Sequence, residues 1–137
     1  MLLQPRKVKH RKWHRNRIHG VATRKISVSF GEYGLQSMES AWVTARQMEA
    51  ARRAMTRFVQ RGGKIWVRIF PDKPVTKKGN EIRMGGGKGP VDHYVCVIKP
   101  GMVLFEIAGV DLDSSKEAMR LAAHKLPVRT KFIRKHD

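Results

Sequence analysis

The chain has 137 residues, of which 41% are hydrophobic, enough for one folded domain with a core, and this excludes a wholly disordered chain. Its single cysteine, Cys96, excludes an internal disulfide and favours a reducing compartment. No apolar run is long enough for a membrane span, and none follows the start as in a secretory signal.

Positive charge dominates the chain. Lys and Arg number 29 against 11 Asp and Glu, so the formal net charge is +18 and the pI is near 11.0. Such an excess opposes compaction by self-repulsion. A polyanion that releases counterions on binding is the simplest compensating partner, so nucleic acid is the first hypothesis.

The first 25 residues predict a basic extended arm, because they contain no acid and no apolar period. An Arg-rich, acid-poor start is also typical of an organelle transit peptide, but the lack of a clear amphipathic period disfavours that interpretation. The strict alternation at 26–30 predicts a half-buried strand. Residues 31–41 are then expected to form a connection.

The clearest local signal predicts a helix from 44 to about 61. Thr44 and Gln47 are spaced as a capping box, and Val43 and Met48 are placed as a hydrophobic staple. Glycines at 62 and 63 can supply the left-handed stop. The apolar side chains recur at helical spacing: Met48, Ala51, Met55, Phe58 and Val59. A second face carries Arg46, Arg53, Arg57 and Arg61.

The middle of the chain predicts strands around a long loop. Alternation over 64–70 predicts a strand with Ile65, Val67 and Ile69 on one side. Residues 71–91 are expected to form a Pro/Gly/Lys-rich loop with a short extended piece at 80–84. The apolar run 94–98 predicts a central strand. Pro and Gly at 100 and 101 suit a type II turn, so 94–98 and 102–107 are predicted to pair as a hairpin.

The last part predicts one more helix and one more strand. Ser114 and Glu117 are spaced as a second capping box, so a helix is expected from 114 to about 125. Residues 128–133 alternate as a strand does. The order β-α-β-loop-β-β-α-β predicts an α+β sandwich, with two helices packed on one mainly antiparallel sheet. The expected organisation is an arm at 1–25 and a single α+β domain at 26–137, which includes the loop 71–91.

The loop 77–90 is the most unusual segment. Its glycines allow backbone N–H groups to approach a phosphate closely, while Arg83 and Lys88 add charge. A flexible surface loop is the alternative, although loops of this length in compact domains are usually functional or disordered. A Walker A loop is excluded, because Ile82 and Gly89 stand where that motif needs Gly and Ser/Thr.

The helix arginines and two tryptophans are further candidates for nucleic-acid contact. The arginines meet a single acid on the helix, Glu49, and can bind phosphates bidentately; a solvated face is the alternative. Trp66, between Lys64 and Arg68, can stack on a base, but a core position is favoured. Trp13 has no evident core to join and is the better stacking candidate.

No catalytic or metal site is predicted. His10 and His14 have zinc-like spacing without a second ligand pair. Asp92 and His93 are neighbours whose side chains would alternate in a strand, and no nucleophile–base–orienter set accompanies them. Cys96 lies among apolar residues, where a thiol is normally inert. We expect no enzyme activity, no cofactor and no bound metal.

Several spaced motifs resemble bacterial large-subunit ribosomal protein sixteen, and the similarity runs from Met1 to about Ile133. The longest are TARQMEAARRA at 44–54, GKIWVRIFPDKP at 63–74, and RMG with GKG at 83–85 and 87–89. Shorter matches occur at 28–31, 99–101, 105–106, 109–110 and 125–127. Gly86 stands where the family usually has a second lysine, which removes one phosphate contact, and Gly79 replaces a common proline, which loosens the base of the loop.

The resemblance implies an α+β fold of the hammerhead type and a structural role in the large ribosomal subunit. It implies binding to large-subunit rRNA between the central protuberance and the peptidyl-transferase region, a place beside the A-site tRNA, and support of subunit assembly. Contact with the P-site tRNA is left open. The implied partners also include neighbouring ribosomal proteins, without a membrane or a homo-oligomer. The implied location is the cytoplasmic ribosome, and an organelle-encoded copy would look much the same.

Cationic side chains in the arm, the helix and the loop are the expected contacts, with Trp13 added for stacking. The arm and the loop are expected to be poorly ordered until RNA binds. The predicted rRNA-binding residues are Arg6, Lys7, Lys9, Arg11, Lys12, Trp13, Arg15, Arg46, Arg53, Arg57, Lys77 and Lys78. The predicted tRNA-proximal residues are Arg83 and Lys88. The rival hypotheses are an RNA-processing enzyme, which lacks an acid cluster for metal ions, and a DNA-compacting protein, which would not need the glycine loop.

Overall fold

The computed structural model describes residues 3–60 and 62–136. Within these ranges it contains two helices and seven strands. In chain order the elements are β1 Tyr33–Ser37, β2 Ala41–Thr44, α1 Ala45–Val59, β3 Lys64–Val67, β4 Lys73–Thr76, β5 Val91–Ile98, β6 Val103–Ala108, α2 Leu112–Ala123 and β7 Thr130–Arg134. The predicted α+β class is confirmed.

The strands form two sheets rather than the single predicted sheet. One sheet has the order β3-β6-β1-β7 and the other the order β2-β5-β4, and the pairings within both are antiparallel. The predicted central position of the strand at 94–98 is confirmed, because β5 lies between β2 and β4. The main core contains Leu35, Met48, Ile98, Phe105 and Met119, so it joins both sheets to both helices.

The predicted hairpin between 94–98 and 102–107 is wrong, although its turn is present. Gly101 has a φ of 94°, and the Met102 N–H donates to the Lys99 carbonyl at 3.2 Å. The Gly101 N–H, however, donates to the Ser37 carbonyl at 2.7 Å, and the Ser37 N–H donates to the Met102 carbonyl at 2.8 Å. Because β1 occupies these groups, the chain leaves one sheet at the turn and enters the other.

The predicted strand at 26–30 is also wrong, and β1 and β2 lie where a connection was expected. Val28 is buried at 5% exposure, whereas Phe30 is 59% exposed, so the alternating apolar side chains do not share a face. The N–H groups of Ser29, Phe30 and Gly31 donate to the Glu106 carboxylate instead of to a neighbouring strand.

The start of α1 agrees with the prediction in detail. Thr44 Oγ1 accepts from the Gln47 N–H at 3.2 Å, and Gln47 Oε1 accepts from the Thr44 N–H at 2.9 Å, which confirms the capping box. The predicted glycine stop is wrong, because Gln60 adopts the left-handed conformation with a φ of 50°. Arg61, the predicted last residue of this helix, lies outside the described residues.

The boundaries of α2, β4 and the loop also differ from the predicted ones, because contacts between distant segments decide them. Helix α2 begins after Asp111, so the Ser114/Glu117 capping box is wrong, and Glu117 pairs with Arg120 at 2.6 Å. The extended piece predicted at 80–84 is a turn and bends, while β4 falls earlier, inside the predicted loop. Pro74 is tolerated there because β4 is an edge strand. The loop is therefore the tip, at 77–90, of a β4–β5 hairpin.

Gly63 marks a close crossing between the start of β3 and the end of β6. Its φ is +68°, and a Cβ there would lie 2.4 Å from the Ala108 carbonyl oxygen and 3.2 Å from Val110 Cγ1. Only a residue without a side chain fits both the conformation and the space.

We expect Gly63→Ala to lower the free energy of unfolding by at least about 2 kcal/mol, since it adds a backbone clash to left-handed strain. Urea unfolding of the purified chain measures this. Gly86→Ala is the control, because Gly86 has a similar φ of +76° but its Cβ would meet nothing within 4 Å. Equal losses of unfolding free energy in the two variants would show that a Cβ at position 63 meets no clash at the crossing.

Candidate nucleic-acid interface

The N-terminal segment lies across the outer face of the three-stranded sheet. Residues opposite each other in antiparallel strands point to the same side, and the register pairs Trp42 with Val97 and Lys73 with Val95. Cys96 and Ile98 belong to the core on the other side, so Trp42, Lys73 and Val95 face outward. Lys73 and Val95 are nevertheless buried, because residues 12–19 pass in front of them.

Lys73 ties the arm to this face. Its ammonium donates to the Arg15 carbonyl and lies 4.5 Å from the centroid of the Trp42 ring. The residue is only 7% exposed, and it forms no ion pair with any described residue. A buried ammonium needs such partners, because leaving it without them costs several kcal/mol.

A second pair of contacts joins the arm to the loop, and we call it the arm–loop clasp. Lys12 Nζ donates to the Lys88 carbonyl at 3.0 Å, and Lys88 Nζ donates to the Trp13 carbonyl. An ammonium has three N–H donors, so each lysine keeps donors for another ligand. The clasp places two positive charges at the junction of arm and loop, neither with a carboxylate partner among the described residues, so a bound anion would neutralise them.

The base of the arm is fixed on the outer face of the four-stranded sheet. Glu106 is fully buried, and its Oε1 accepts from the N–H groups of Ser29, Phe30 and Gly31 at 3.0, 2.7 and 2.8 Å. Its Oε2 accepts from Arg68 Nη1 at 2.5 Å. Close by, Val28 packs over Gly34, where a Cβ would lie 2.8 Å from Val28 Cγ2.

Two carboxyl groups are held ionised by these contacts. Burial by itself raises the pKa of Glu106, but the Gly31 N–H, the Arg68 guanidinium and the Phe30 N–H together bring that pKa below its usual value. On α1 the Arg52 guanidinium, opposed by burial and aided by Arg53, lowers the pKa of Glu49 to about 2.

These shifts predict loss of stability in acid. Because both folded-state pKa values lie below the ordinary 4.5, the stabilisation is fully present above about pH 4.5 and is lost as the pH falls toward 2. The unfolding midpoint in urea should decline steadily across this window. Glu49→Gln is expected to flatten the decline, and a wild-type midpoint that stays constant from pH 4.5 to 2 would contradict the assignment.

The predicted helix arginines differ in their surroundings. Arg46, Arg53 and Arg57 are all exposed. Arg53 Nε lies 3.1 Å from Glu49, which also binds Arg52, so the single acid on this helix is shared by two arginines. Arg46 and Arg57 form no ion pair with a described residue, and Arg57 lies in the last turn, where a cation also suits the helix dipole.

The fold brings Arg11 of the arm to Arg46 of the helix. Both line a groove of about 820 Å³ between the start of the arm, the first turn of α1 and the start of β5. Asp92 and His93 lie on its other side, with Asp92 Oδ2 and His93 Nδ1 2.7 Å apart, closer than expected for neighbours in a strand. Arg6, Lys7 and Lys9 are exposed earlier in the arm.

The loop tip is exposed throughout residues 79–88. Lys77 closes its base, because the Lys77 N–H donates to the Pro90 carbonyl at 3.1 Å, and Lys78 Nζ donates to the Gly85 carbonyl at 2.5 Å. Arg83 lies at the tip, while Lys88 lies in the clasp, so the structure separates the two predicted tRNA-proximal residues.

Trp66 lies on the outer face of the four-stranded sheet, so the favoured core position is wrong. Its register partner is Glu106, and its ring stacks on Phe30 with the centroids 6.2 Å apart. Lys64 Nζ lies 5.2 Å from the Trp66 ring.

Sequence reasoning missed Lys73 and Glu106 altogether, since neither carries a local signal that distinguishes it from a surface charge.

Burial disfavours the reactive thiolate form of Cys96. Burial raises the pKa of the Cys96 thiol to about 11. Among residues 3–60 and 62–136, no group of three or more His, Cys, Asp or Glu side chains could hold a metal ion. No helix within those ranges is long and apolar enough to cross a membrane.

Comparison with known proteins identifies the class. The family model of ribosomal protein L16p/L10e matches residues 5–133. The large ribosomal subunit protein uL16c of Gracilaria tenuistipitata is 57% identical over 134 residues, which cover 98% of this chain and 99% of that protein. A basic chain with these relatives is a structural protein of the large ribosomal subunit, and not an enzyme. The chain belongs to the ribosomal protein L16p/L10e family, so the resemblance noted in its motifs is confirmed.

Proposed function

We propose that the chain is a structural constituent of the large ribosomal subunit that binds large-subunit rRNA through the arm, the arginine face of α1 and the base of the loop. The observation that carries this proposal is the arm–loop clasp. Two lysines bridge the arm and the loop there without a carboxylate partner among the described residues, and both ammonium groups keep free donors. RNA phosphates supply the missing negative charge.

The mechanism in this proposal is electrostatic and depends on shape. Folded RNA brings phosphates close together, and a cationic surface that is already fixed in position neutralises them with little loss of conformational entropy. Lys73 and Glu106 support that fixed surface by holding the arm at two places. In this proposal arm residues 12–15 bind as part of the domain, which differs from the arm expected from the sequence, one that becomes ordered only on RNA.

Specific assembly can be tested by co-sedimentation. Large subunits that lack this protein are mixed with the chain at physiological salt, with excess tRNA and duplex DNA as competitors. We expect saturation at one copy per particle, resistant to both competitors. Displacement by duplex DNA would identify a non-specific polyanion binder and contradict the proposal.

The exposed loop tip is proposed to lie beside the A-site tRNA, with the P-site tRNA as the alternative partner. The support is the exposure of residues 79–88 and the position of Arg83 beyond the rRNA-binding base of the loop. Arg83→Ala should enter the particle as the wild type does but weaken binding of A-site tRNA. Unchanged tRNA affinity with normal assembly would exclude this contact. The proposed location is the cytoplasmic ribosome, with an organellar ribosome as the alternative.

Arg57→Ala tests the helix face. We expect it to weaken rRNA binding and to reduce the slope of log K against log salt by roughly 0.7–0.9, the value for one lost phosphate contact. The measurement is an rRNA-fragment titration at several salt concentrations. Arg129→Ala is the control, because it removes the same charge outside the proposed surface, where Arg129 pairs with Glu39 at 2.7 Å. Equal slopes for wild type and Arg57→Ala would show a solvated surface residue.

A further inference from the structure

A groove of about 580 Å³ lies beneath the arm, on the outer side of β5. The arm contributes Trp13, Asn16 and Arg17 to its lining, and the sheet side contributes Lys73, Val97 and Lys99. Its volume lies within the range of ligand pockets, about 300–1,000 Å³. A bare phosphate would leave most of this space empty.

The lining combines positive charge with planar rings. Lys12, Arg17, Lys73 and Lys99 are cationic, and no acidic side chain lines the groove in the described part of the chain. Three imidazoles and the half-exposed Trp13 ring add flat surfaces. The cations favour a phosphate, and the rings favour a flat, polarisable group.

The arm segment that covers the groove is fixed at both ends by hydrogen bonds. On one side Lys73 donates to the Arg15 carbonyl, and on the other the Ala22 N–H donates to the Pro100 carbonyl at 2.9 Å. The arm therefore spans the outer face of β5 between two fixed points. A groove formed in advance loses less entropy when a ligand enters.

We propose that this groove binds one unstacked nucleotide of the large-subunit rRNA, with the base against Trp13 and the phosphate on the surrounding cations. This inference rests on the proposed function and deepens it, because it assigns one base-binding site within a surface otherwise described by charge. An unstacked nucleotide carries a flat base and a negatively charged phosphate on adjacent groups. Stacking of this kind accepts any base, so the site recognises an extruded nucleotide and not a sequence.

The test separates the base from the phosphate. The full chain is titrated with a labelled six-nucleotide single-stranded RNA and with an abasic ribose-phosphate chain of the same length and charge, at one salt concentration. We expect the RNA to bind about five- to a hundredfold more tightly, the range that stacking on an aromatic ring supplies. Equal affinities would overturn the proposal.

Two variants test whether the preference for RNA over the abasic chain arises in this groove. Trp13→Ala removes the ring, and Val97→Met extends an apolar side chain into the groove without adding a ring or changing the charge; both should abolish the preference for RNA and leave the affinity for the abasic chain unchanged. Met38→Ala is the control, because Met38 is a half-exposed apolar residue beside Arg129, outside the proposed surface, and it should keep the preference. A preference that survives either groove variant would overturn the assignment. The co-sedimentation experiment tests the proposed function separately: if that function is wrong, binding to the large subunit will not saturate, whatever the groove variants show.

Discussion

Replacement of Glu106 by Ala is expected to lower the free energy of unfolding by about 3–5 kcal/mol, because removing one partner of a buried ion pair leaves the other without compensation. Arg68 loses its carboxylate, and the N–H groups of residues 29–31 lose their acceptor. The change should appear as a lower urea midpoint, since Glu106 is fully buried.

Glu117→Ala is the matched control for this result. It also breaks an ion pair, with Arg120 at 2.6 Å, but both side chains are substantially exposed. Exposed pairs contribute about 0–1 kcal/mol. If the two variants lost equal stability, the carboxylate at 106 would not anchor the base of the arm.

The double substitution Lys12→Ala, Lys88→Ala is expected to have the largest effect on RNA binding. Each lysine forms a charge-assisted hydrogen bond to phosphate in the proposal, worth about tenfold in affinity. The loss should therefore approach a hundredfold, with the salt slope reduced by roughly 1.4–1.8 for two contacts. Titration of an rRNA fragment across a salt series measures both quantities.

Lys116→Ala, Lys125→Ala is the control for that variant. Both residues are exposed, in α2 and just after it, and their removal lowers the net charge by the same amount. A general effect of charge would weaken binding equally in the two double variants. Equal affinities and slopes would therefore exclude a specific role for the arm–loop clasp.

Lys73 and Glu106 also explain why part of the candidate interface was hidden from sequence reasoning. Exposed cations such as Arg46 and Arg57 could be identified from helical spacing, because their position depends on near neighbours. In the sequence, Lys73 cannot be distinguished from an exposed loop lysine, because its burial depends on the arm that packs over it. Glu106 binds N–H groups 75 to 77 residues away, and no local pattern indicates that contact.

The alternating residues 26–30 illustrate the same limit in the backbone. An alternating segment forms a strand only where a neighbouring strand can pair with its backbone N–H and C=O groups. Here the outer face of the sheet offers a carboxylate, and three consecutive N–H groups bind it. The segment therefore becomes the anchor of the arm, and the first strand forms later, at β1.

By itself the sequence determined the features whose partners are close in the chain. The capping box of α1, the core side of β3 and the turn at 99–102 follow from residues a few positions apart, and the net charge and spaced motifs indicated the class of protein. Only the tertiary structure decided the split into two sheets, the burial of Lys73 and the path of the arm. Those features depend on hydrogen bonds between distant segments, and a turn or a lysine has the same local chemistry whichever distant partner it meets.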